Sequence, residues 1–260
     1  MSDKNEKLEA IGRLLDIMDE LRIKCPWDRE QTFESLRSNT IEETYELADA
    51  ILVNDMNHIK KELGDLLLHI VFYARIGSES GAFDIKDVAE AIAEKLIFRH
   101  PHVFGDTDVM NNPEIVKKNW EELKIREGNH SVLGGVPVSL PALIKANRIQ
   151  EKARAVGFDW DNRLQVWDKV HEELDELKAE IETMDLNKTE SEFGDLLFSL
   201  VNTARLYGVD PETALERTNR KFIKRFNYLE SQTFKQGRKL KHMTLDEMNE
   251  IWEQAKESEE

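Results

Sequence analysis

The sequence predicts an all-α protein made of two related halves. Apolar residues return every three or four positions through ten long segments, which is the spacing of a helix with one buried face. Alternating, strand-like runs are scarce, and the six prolines fall between these segments or at their first residue. Internal identity at a constant offset relates the halves, so we expect two tandem helical bundles.

The predicted helices form two sets of five along the chain. The first set covers 5–23, 33–54, 56–76, 85–98 and 113–126. The second set covers 141–155, 163–183, 188–207, 211–234 and 244–257. Between them, REGNHSVLGGVPVSLP (126–141) has three glycines and two prolines, which interrupt helices, but also several apolar residues. We therefore expect a first domain at 1–126, an ordered, packed connection at 127–142 and a second domain at 143–260.

An offset of 130 residues aligns two segments of the first half with two of the second. EETYEL (42–47) aligns with EELDEL (172–177), and ELGDLLLHIVFYAR (62–75) aligns with EFGDLLFSLVNTAR (192–205). One offset that holds across two helices and their connection is hard to obtain by chance. The pattern indicates a tandem duplication.

Each half carries five acidic residues in the same arrangement, EExxE followed sixteen residues later by ExxD. They are Glu42, Glu43, Glu46, Glu62 and Asp65 in the first half and Glu172, Glu173, Glu176, Glu192 and Asp195 in the second. A helix advances about 100° per residue, so the three glutamates of EExxE share one face, as do the two acids of ExxD. An isolated EExxE is most often a solvated acidic face.

Two features favour a metal site over a solvated face. Asp65 and Asp195 each lie within an apolar stretch, where we expect the aspartate to be partly desolvated. Clustered carboxylates repel each other, and a bound cation relieves that repulsion. Oxygen ligands of this kind suit Mg²⁺, with Mn²⁺ as a substitute. Gly64 and Gly194 predict a close approach between the helices that carry the acids.

Mg²⁺ held by carboxylates usually also binds phosphate oxygens, so cationic side chains should flank the acids. NRKFIKRF (219–226) is the densest basic helical segment, and Lys169 and Lys188 precede Glu172 and Glu192 by three and four residues. Asn39 stands where the offset aligns Lys169, so the first half has a thinner basic shell. A helical tryptophan is more often part of a core, but one with a lysine a turn away is also a candidate for stacking on a nucleobase. The candidate substrate-binding residues are Lys169, Lys188, Lys221, Lys224, Arg225, Trp252 and Lys256.

Composition argues against several classes of protein. The 260-residue chain has a formal net charge of −16, whereas a nucleic-acid binder normally shows a basic surface. The most apolar stretch is too short to span a bilayer, and the amino terminus lacks the apolar core of a signal peptide. Cys25 is the single cysteine, so no intrachain disulfide can form. We expect a soluble cytoplasmic protein that binds neither a nucleic-acid polymer nor a membrane.

With these residues in view, the chain resembles the MazG family of nucleoside triphosphate pyrophosphohydrolases over nearly its whole length. The resemblance rests on the duplicated acidic pattern and on five further segments. They are KCPWDREQT (24–32), RHPHVFGD (99–106), VLGGVPVSLPAL (132–143), KARAVGFDW (152–160) and KFIKRF (221–226). The resemblance implies an all-α fold of tandem MazG-like domains, Mg²⁺ dependence and homodimerisation. It also implies hydrolysis of nucleoside triphosphates to monophosphate and pyrophosphate, in clearance of noncanonical or surplus nucleotides.

The expected mechanism uses the second-half acids as both metal ligands and catalytic residues. The ion they hold would activate a water for attack on the α-phosphate, and the flanking cations would stabilise the departing pyrophosphate. Two alternatives of other classes are a non-catalytic regulatory module that binds a nucleotide or a protein, and a structural helical scaffold. The chain has no GxxxxGK[ST] sequence, which argues against a P-loop ATPase.

Overall fold

In the computed structural model, residues 3–107, 112, 116, 131–160 and 162–258 are described. All regular secondary structure in these ranges is helical, as the periodicity predicts. Contacts divide the chain into two compact units, 1–113 and 114–260. The predicted helix at 113–126 lies, apart from residue 116, outside the described residues, and the predicted domain limits stay a prediction.

The described helices of the first unit follow the predicted order, with two short additions. They are α1 (Lys4–Lys24), α2 (Pro26–Glu30), α3 (Phe33–Leu52), α4 (Met56–Glu79), α5 (Ile85–Arg99) and α6 (Pro101–Phe104). Three of the long helices begin with a capping box, in which side chains satisfy the free amide groups of the first turn. Met18, Leu36, Val71 and Phe72 form the buried core where α1, α3 and α4 meet.

The second unit repeats this organisation. Its helices are α7 (Ala142–Ala155), α8 (Gln165–Thr183), α9 (Leu186–Leu206), α10 (Pro211–Lys235) and α11 (Leu245–Glu257), with a 3₁₀ turn at Leu240–His242. Leu229, Met243 and Ile251 form a core cluster between α10 and α11. Val166, Val170, Leu177 and Val201 are buried on α8 and α9.

The duplicated helices form the same hairpin in both units. Asn54 and Met184 take a left-handed backbone conformation, with φ of 56° and 60°, in the turns between α3 and α4 and between α8 and α9. The next residue, Asp55 or Asp185, caps the following helix, because its carboxylate accepts hydrogen bonds from two backbone amides of the first turn. A turn this short makes the helices antiparallel neighbours, which brings each EExxE segment opposite its ExxD segment.

The glycines of the ExxD helices do not act as predicted. Apart from its chain neighbours and the backbone of its own helix, a Cβ atom built on Gly64 or Gly194 would meet no atom of the described residues within 4 Å. The prediction that these glycines allow a close approach between the two acid-bearing helices of each unit is therefore wrong, because both glycines lie on the exposed side of their helices. Among the described helices, none combines the length and the apolar content needed to cross a membrane.

Candidate active site

In the first unit, the hairpin gathers the predicted acids around a buried glutamate. Glu43, Glu62 and Asp65 each offer an oxygen within 4.8 Å of the others, and Glu46, His58 and Glu62 form a second such group. The side chain of Glu62 is fully buried, and His58 Nε2 lies 2.7 Å from its Oε1. Since α3 supplies two of the acids and α4 the others, the cluster exists only when the hairpin is folded.

Lys61 places its ammonium group among these acids. Its Nζ lies 2.9 Å from Oε1 of Glu62, 3.5 Å from Oδ2 of Asp65 and 3.9 Å from Oε2 of Glu46. Its hydrogen bond lowers the pKa of Glu62, against the raising effect of burial. The pKa of Glu43 is raised, first by burial and then by the negative charges of Asp65 and Glu46.

In the second unit, Glu173, Glu176 and Glu192 offer oxygens within 4.8 Å of one another. Glu173 is buried and lies on α8, while Glu192 comes from α9. Lys169 lies 2.9 Å from Oε1 of Glu172 and 2.6 Å from Oε1 of Glu173, and these hydrogen bonds raise the pKa of the lysine. The pair of helices therefore repeats the carboxylate cluster of the first unit.

The pKa values of the equivalent glutamates of the two clusters are shifted in opposite directions. Glu192 aligns with Glu62 at the 130-residue offset, but its pKa is raised. Burial is the largest cause, followed by the negative charges of Glu176 and Asp195. The second cluster thus contains negative charge that no neighbouring cation of α9 balances among the described residues.

Both clusters fit a divalent cation by their chemistry. The donors are carboxylate oxygens, which hard cations such as Mg²⁺ prefer. In the first cluster, Oε2 of Glu62 is buried and has no hydrogen-bond donor among the described residues while Glu43 is ionised. Glu43 could donate a hydrogen bond to Glu62 only in its protonated form. In the second, a cation would relieve the repulsion that raises the pKa of Glu192.

Some predicted ligands are not members of these groups. The 4.8 Å groups include neither Glu42, Glu172 nor Asp195. Asp195 is exposed, so the expectation that its apolar neighbours in sequence desolvate it is wrong; Leu197 and Phe198 are themselves exposed. The part of Glu42, Glu172 and Asp195 in metal binding stays a prediction.

The predicted substrate-binding residues occupy several places in the second unit. Lys169 lies at the acids, whereas Nζ of Lys188 lies 3.9 Å from a carboxylate oxygen of Glu180. Lys221 and Lys224 are exposed on α10, Arg225 is half-buried there, and Lys256 forms an ion pair with Glu253 on α11.

Trp252 belongs to an aromatic group that the sequence did not indicate. Its ring centroid lies 5.0 Å from that of Phe222, which stacks on Phe226 at 6.1 Å. Phe222 is 56% exposed, so part of this aromatic group is open to solvent.

Sequence reasoning missed Lys61, His58 and Phe222. The signal for the first two was present, because both are four residues from an acid of ExxD on the same helix, a spacing that brings side chains together. Phe222 carried no signal of its own, since a phenylalanine at helical spacing usually belongs to a core.

Fold and site together define the class: an all-α protein with a duplicated carboxylate cluster suited to a divalent cation. A family model described as the MazG nucleotide pyrophosphohydrolase domain matches residues 31–104 and again 163–229. The chain belongs to the MazG family. Both matches contain the acids of one half, so the predicted family, the tandem arrangement and the enzyme class are confirmed.

Relatives of nearly equal length support this assignment. A nucleoside triphosphate pyrophosphohydrolase from Escherichia coli is 44% identical, over 97% of this chain and 99% of its own. A nucleoside triphosphate pyrophosphohydrolase/pyrophosphatase MazG from Thermotoga maritima is 46% identical, over 95% and 96%. The crystal structure of a mazG-related protein from Thermotoga maritima is 28% identical over 44% of this chain and 98% of that one; its TM-score of 0.39 is too low to support an inference.

Proposed function

We propose that this chain hydrolyses nucleoside triphosphates to nucleoside monophosphate and pyrophosphate, with Mg²⁺ as the ion held by its acids and Mn²⁺ as a substitute. The names of the two near-full-length relatives support the reaction. The observation that carries the proposal is the group formed by Glu173, Glu176 and Glu192, three carboxylates from two helices within 4.8 Å. Charge of this density is costly to assemble unless a cation is bound there in the working enzyme.

The bound ion would supply Lewis acidity and lower the pKa of a coordinated water. The acids of α8 and α9 would hold it, with Glu172 and Asp195 completing the predicted set. One carboxylate that is not fully engaged would accept the proton of the water that attacks the α-phosphorus. The bond to the bridging oxygen then breaks, and pyrophosphate leaves.

The basic and aromatic side chains would bind the rest of the substrate. Phosphoryl transfer depends mainly on positioning and charge neutralisation, so cations near the leaving group are the expected partners of the acids. Lys169 already lies at the cluster. Trp252 would offer its ring to the base, and the remaining phosphate-binding candidates are Lys188, Lys221, Lys224, Arg225 and Lys256.

We further propose that the chain works as a cytoplasmic homodimer that clears noncanonical or surplus nucleotides. Equivalent apolar side chains are exposed on the ExxD helices of both units: Leu63 and Ile70 on α4, and Phe193 and Leu200 on α9. A second copy would cover these faces. Light scattering after size exclusion tests the dimer, and a monomeric mass at micromolar concentration would contradict it.

An activity assay tests the reaction. The wild-type chain is incubated with each nucleoside triphosphate and Mg²⁺, and the products are separated. Nucleoside monophosphate and pyrophosphate in equal amounts support the proposal, whereas diphosphate and phosphate would indicate a different hydrolase. Binding without turnover would favour the regulatory module. A scaffold would show neither turnover nor stabilisation by divalent ions in thermal melting.

Variants then test the acids. Glu192→Gln and Asp195→Asn should each lower kcat by about a hundredfold or more, because they remove charge that holds the ion. Asp175→Asn is the matched control: Asp175 lies on α8, is exposed and pairs with Lys178 at 2.9 Å. Asp65→Asn should have a smaller effect than Asp195→Asn. Full activity in both cluster variants would show that the acids are wrongly assigned.

A further inference from the structure

We propose that Lys61 competes with the divalent ion at the first cluster, so that the two clusters of one chain differ in affinity for the metal, the first being the weaker. This inference rests on the proposed divalent-ion chemistry and adds a difference between the two sites. It concerns a residue of α4 that neither the acidic pattern nor the basic candidates include.

The position of the Lys61 ammonium is the first observation. It contacts acids of both helices of the hairpin: Glu46 on α3, and Glu62 and Asp65 on α4. Glu62 and Asp65 also belong to the group of three carboxylates that could hold a cation, and Glu62 is its fully buried member. An ammonium at this place balances the charge that a divalent ion would otherwise balance.

The arrangement of the second cluster is different. Ser191 stands at the position aligned with Lys61, and the lysine of that cluster, Lys169, is replaced in the first unit by Asn39. Lys169 contacts Glu172 and Glu173, two acids of its own helix, three and four residues away. Among the described residues, no lysine or arginine forms an ion pair with the acids that α9 contributes.

These arrangements have different consequences for metal binding. An ammonium has no lone pair and cannot be a ligand, so Lys61 has to leave Oε1 of Glu62 and Oδ2 of Asp65 before an ion can use these two oxygens. The ion pairs lost in that movement oppose binding at the first cluster. At the second, Lys169 holds one oxygen of Glu173, but it forms no ion pair with Glu176 or Glu192. The oxygens of these two acids repel one another until a cation arrives, and that repulsion favours binding.

Calorimetry of Mn²⁺ binding to the full chain, without nucleotide, tests the inference. In a chain carrying Glu192→Gln, which disables the second cluster, the remaining binding reports the first. Adding Lys61→Ser introduces the residue that the second unit has at the aligned position. It should lower the Kd for Mn²⁺ about tenfold, equivalent to about 1.4 kcal/mol. Lys61→Gln should act in the same direction. Lys60→Ser is the matched control, because Lys60 is exposed and has no ion pair with the acids in the described structure; it should change Kd less than about twofold.

The reciprocal exchange tests the same idea at the second cluster. In the otherwise unchanged chain, Ser191→Lys should raise the Kd of the tighter Mn²⁺ site about tenfold, whereas Ser191→Ala should leave it within about twofold. Circular dichroism confirms the folding of each variant. If the chain fails to fold without the ion pair between Lys61 and the buried Glu62, the Ser191→Lys variant still decides the question.

The opposite results overturn the inference. An unchanged or higher Kd in both Lys61 variants would show that the lysine does not compete with the ion. A wild-type chain that releases pyrophosphate but shows equal Kd values at two sites would refute the difference between clusters and leave the proposed function intact. Saturable Mn²⁺ binding with the predicted Lys61 effect, but without pyrophosphate release, would instead refute the proposed function alone.

Discussion

Replacing Met184 by glycine should stabilise the second unit. Met184 directly follows the last residue of α8, in the turn to α9, with φ of 60° and ψ of 17°. Its side chain is 89% exposed, so the substitution removes almost no packing. A left-handed conformation costs a residue with a Cβ about 1–2 kcal/mol, and glycine escapes this cost. Glycine in turn loses about 0.5–1 kcal/mol of backbone entropy on folding, which leaves a net gain of about 0–1.5 kcal/mol, or about 0.75 kcal/mol at the midpoints of both ranges.

The measurement is urea unfolding of the full chain, followed by far-ultraviolet circular dichroism. The Met184→Gly variant should move the midpoint of the transition that belongs to the second unit to higher urea, with an unchanged slope. The duplication supplies a matched control, because Asn54 occupies the same turn in the first unit with φ of 56°. Asparagine tolerates this conformation, so Asn54→Gly should gain close to nothing.

Two results would refute the reasoning. A Met184→Gly variant that is less stable than wild type would mean that the methionine side chain contributes contacts in solution, for example with a second copy of the chain. An equal gain from Asn54→Gly would mean that the strain of the turn does not depend on the residue type.

Three further predictions concern charge and substrate. Burial, and then the neighbouring negative charges, raise the pKa of Glu192, so its charge destabilises the folded metal-free chain at neutral pH. Glu192→Gln should therefore melt higher than wild type without divalent ions, and the difference should shrink as the pH falls through the raised pKa. Arg22→Met should cost about 2–3 kcal/mol in urea unfolding, since it breaks a two-point ion pair with the half-exposed Glu79. Because Arg22 lowers the pKa of Glu79, that contribution should be present above the unfolded pKa of about 4.3 and be lost as the pH falls through the folded value. Trp252→Ala should raise KM for nucleoside triphosphates more than it lowers kcat, while Phe234→Ala, an 85% exposed aromatic change on α10, should alter neither.

The long helices could be predicted closely from the sequence. The segment predicted at 163–183 is observed at Gln165–Thr183, and that predicted at 211–234 is observed at Pro211–Lys235. Both have a continuous apolar stripe over five or more turns, and each turn adds to the same signal. The short helices at Pro26–Glu30 and Pro101–Phe104 were not predicted, because one turn is too short for a period to be recognised.

The candidate site could be predicted only in part. The duplicated spacing correctly grouped Glu43 with Glu62 and Asp65, and Glu173 with Glu192. It could not show that Glu62 is buried while Asp195 is exposed. Burial depends on how one helix is rotated against its neighbour, and sequence spacing within a helix does not contain that rotation.

The amino-acid sequence by itself determined the helical architecture, the duplication and the residue types that gather at each cluster, because all three follow from short-range periodicity and from identity at one offset. Only the tertiary structure decided which charged groups lie beside the carboxylates of each cluster. It placed the Lys61 ammonium among acids of two helices in the first unit, whereas in the second no described lysine or arginine forms an ion pair with the α9 acids. The physical reason is that electrostatic energy depends on distances across the hairpin and on burial, and both are properties of packed helices.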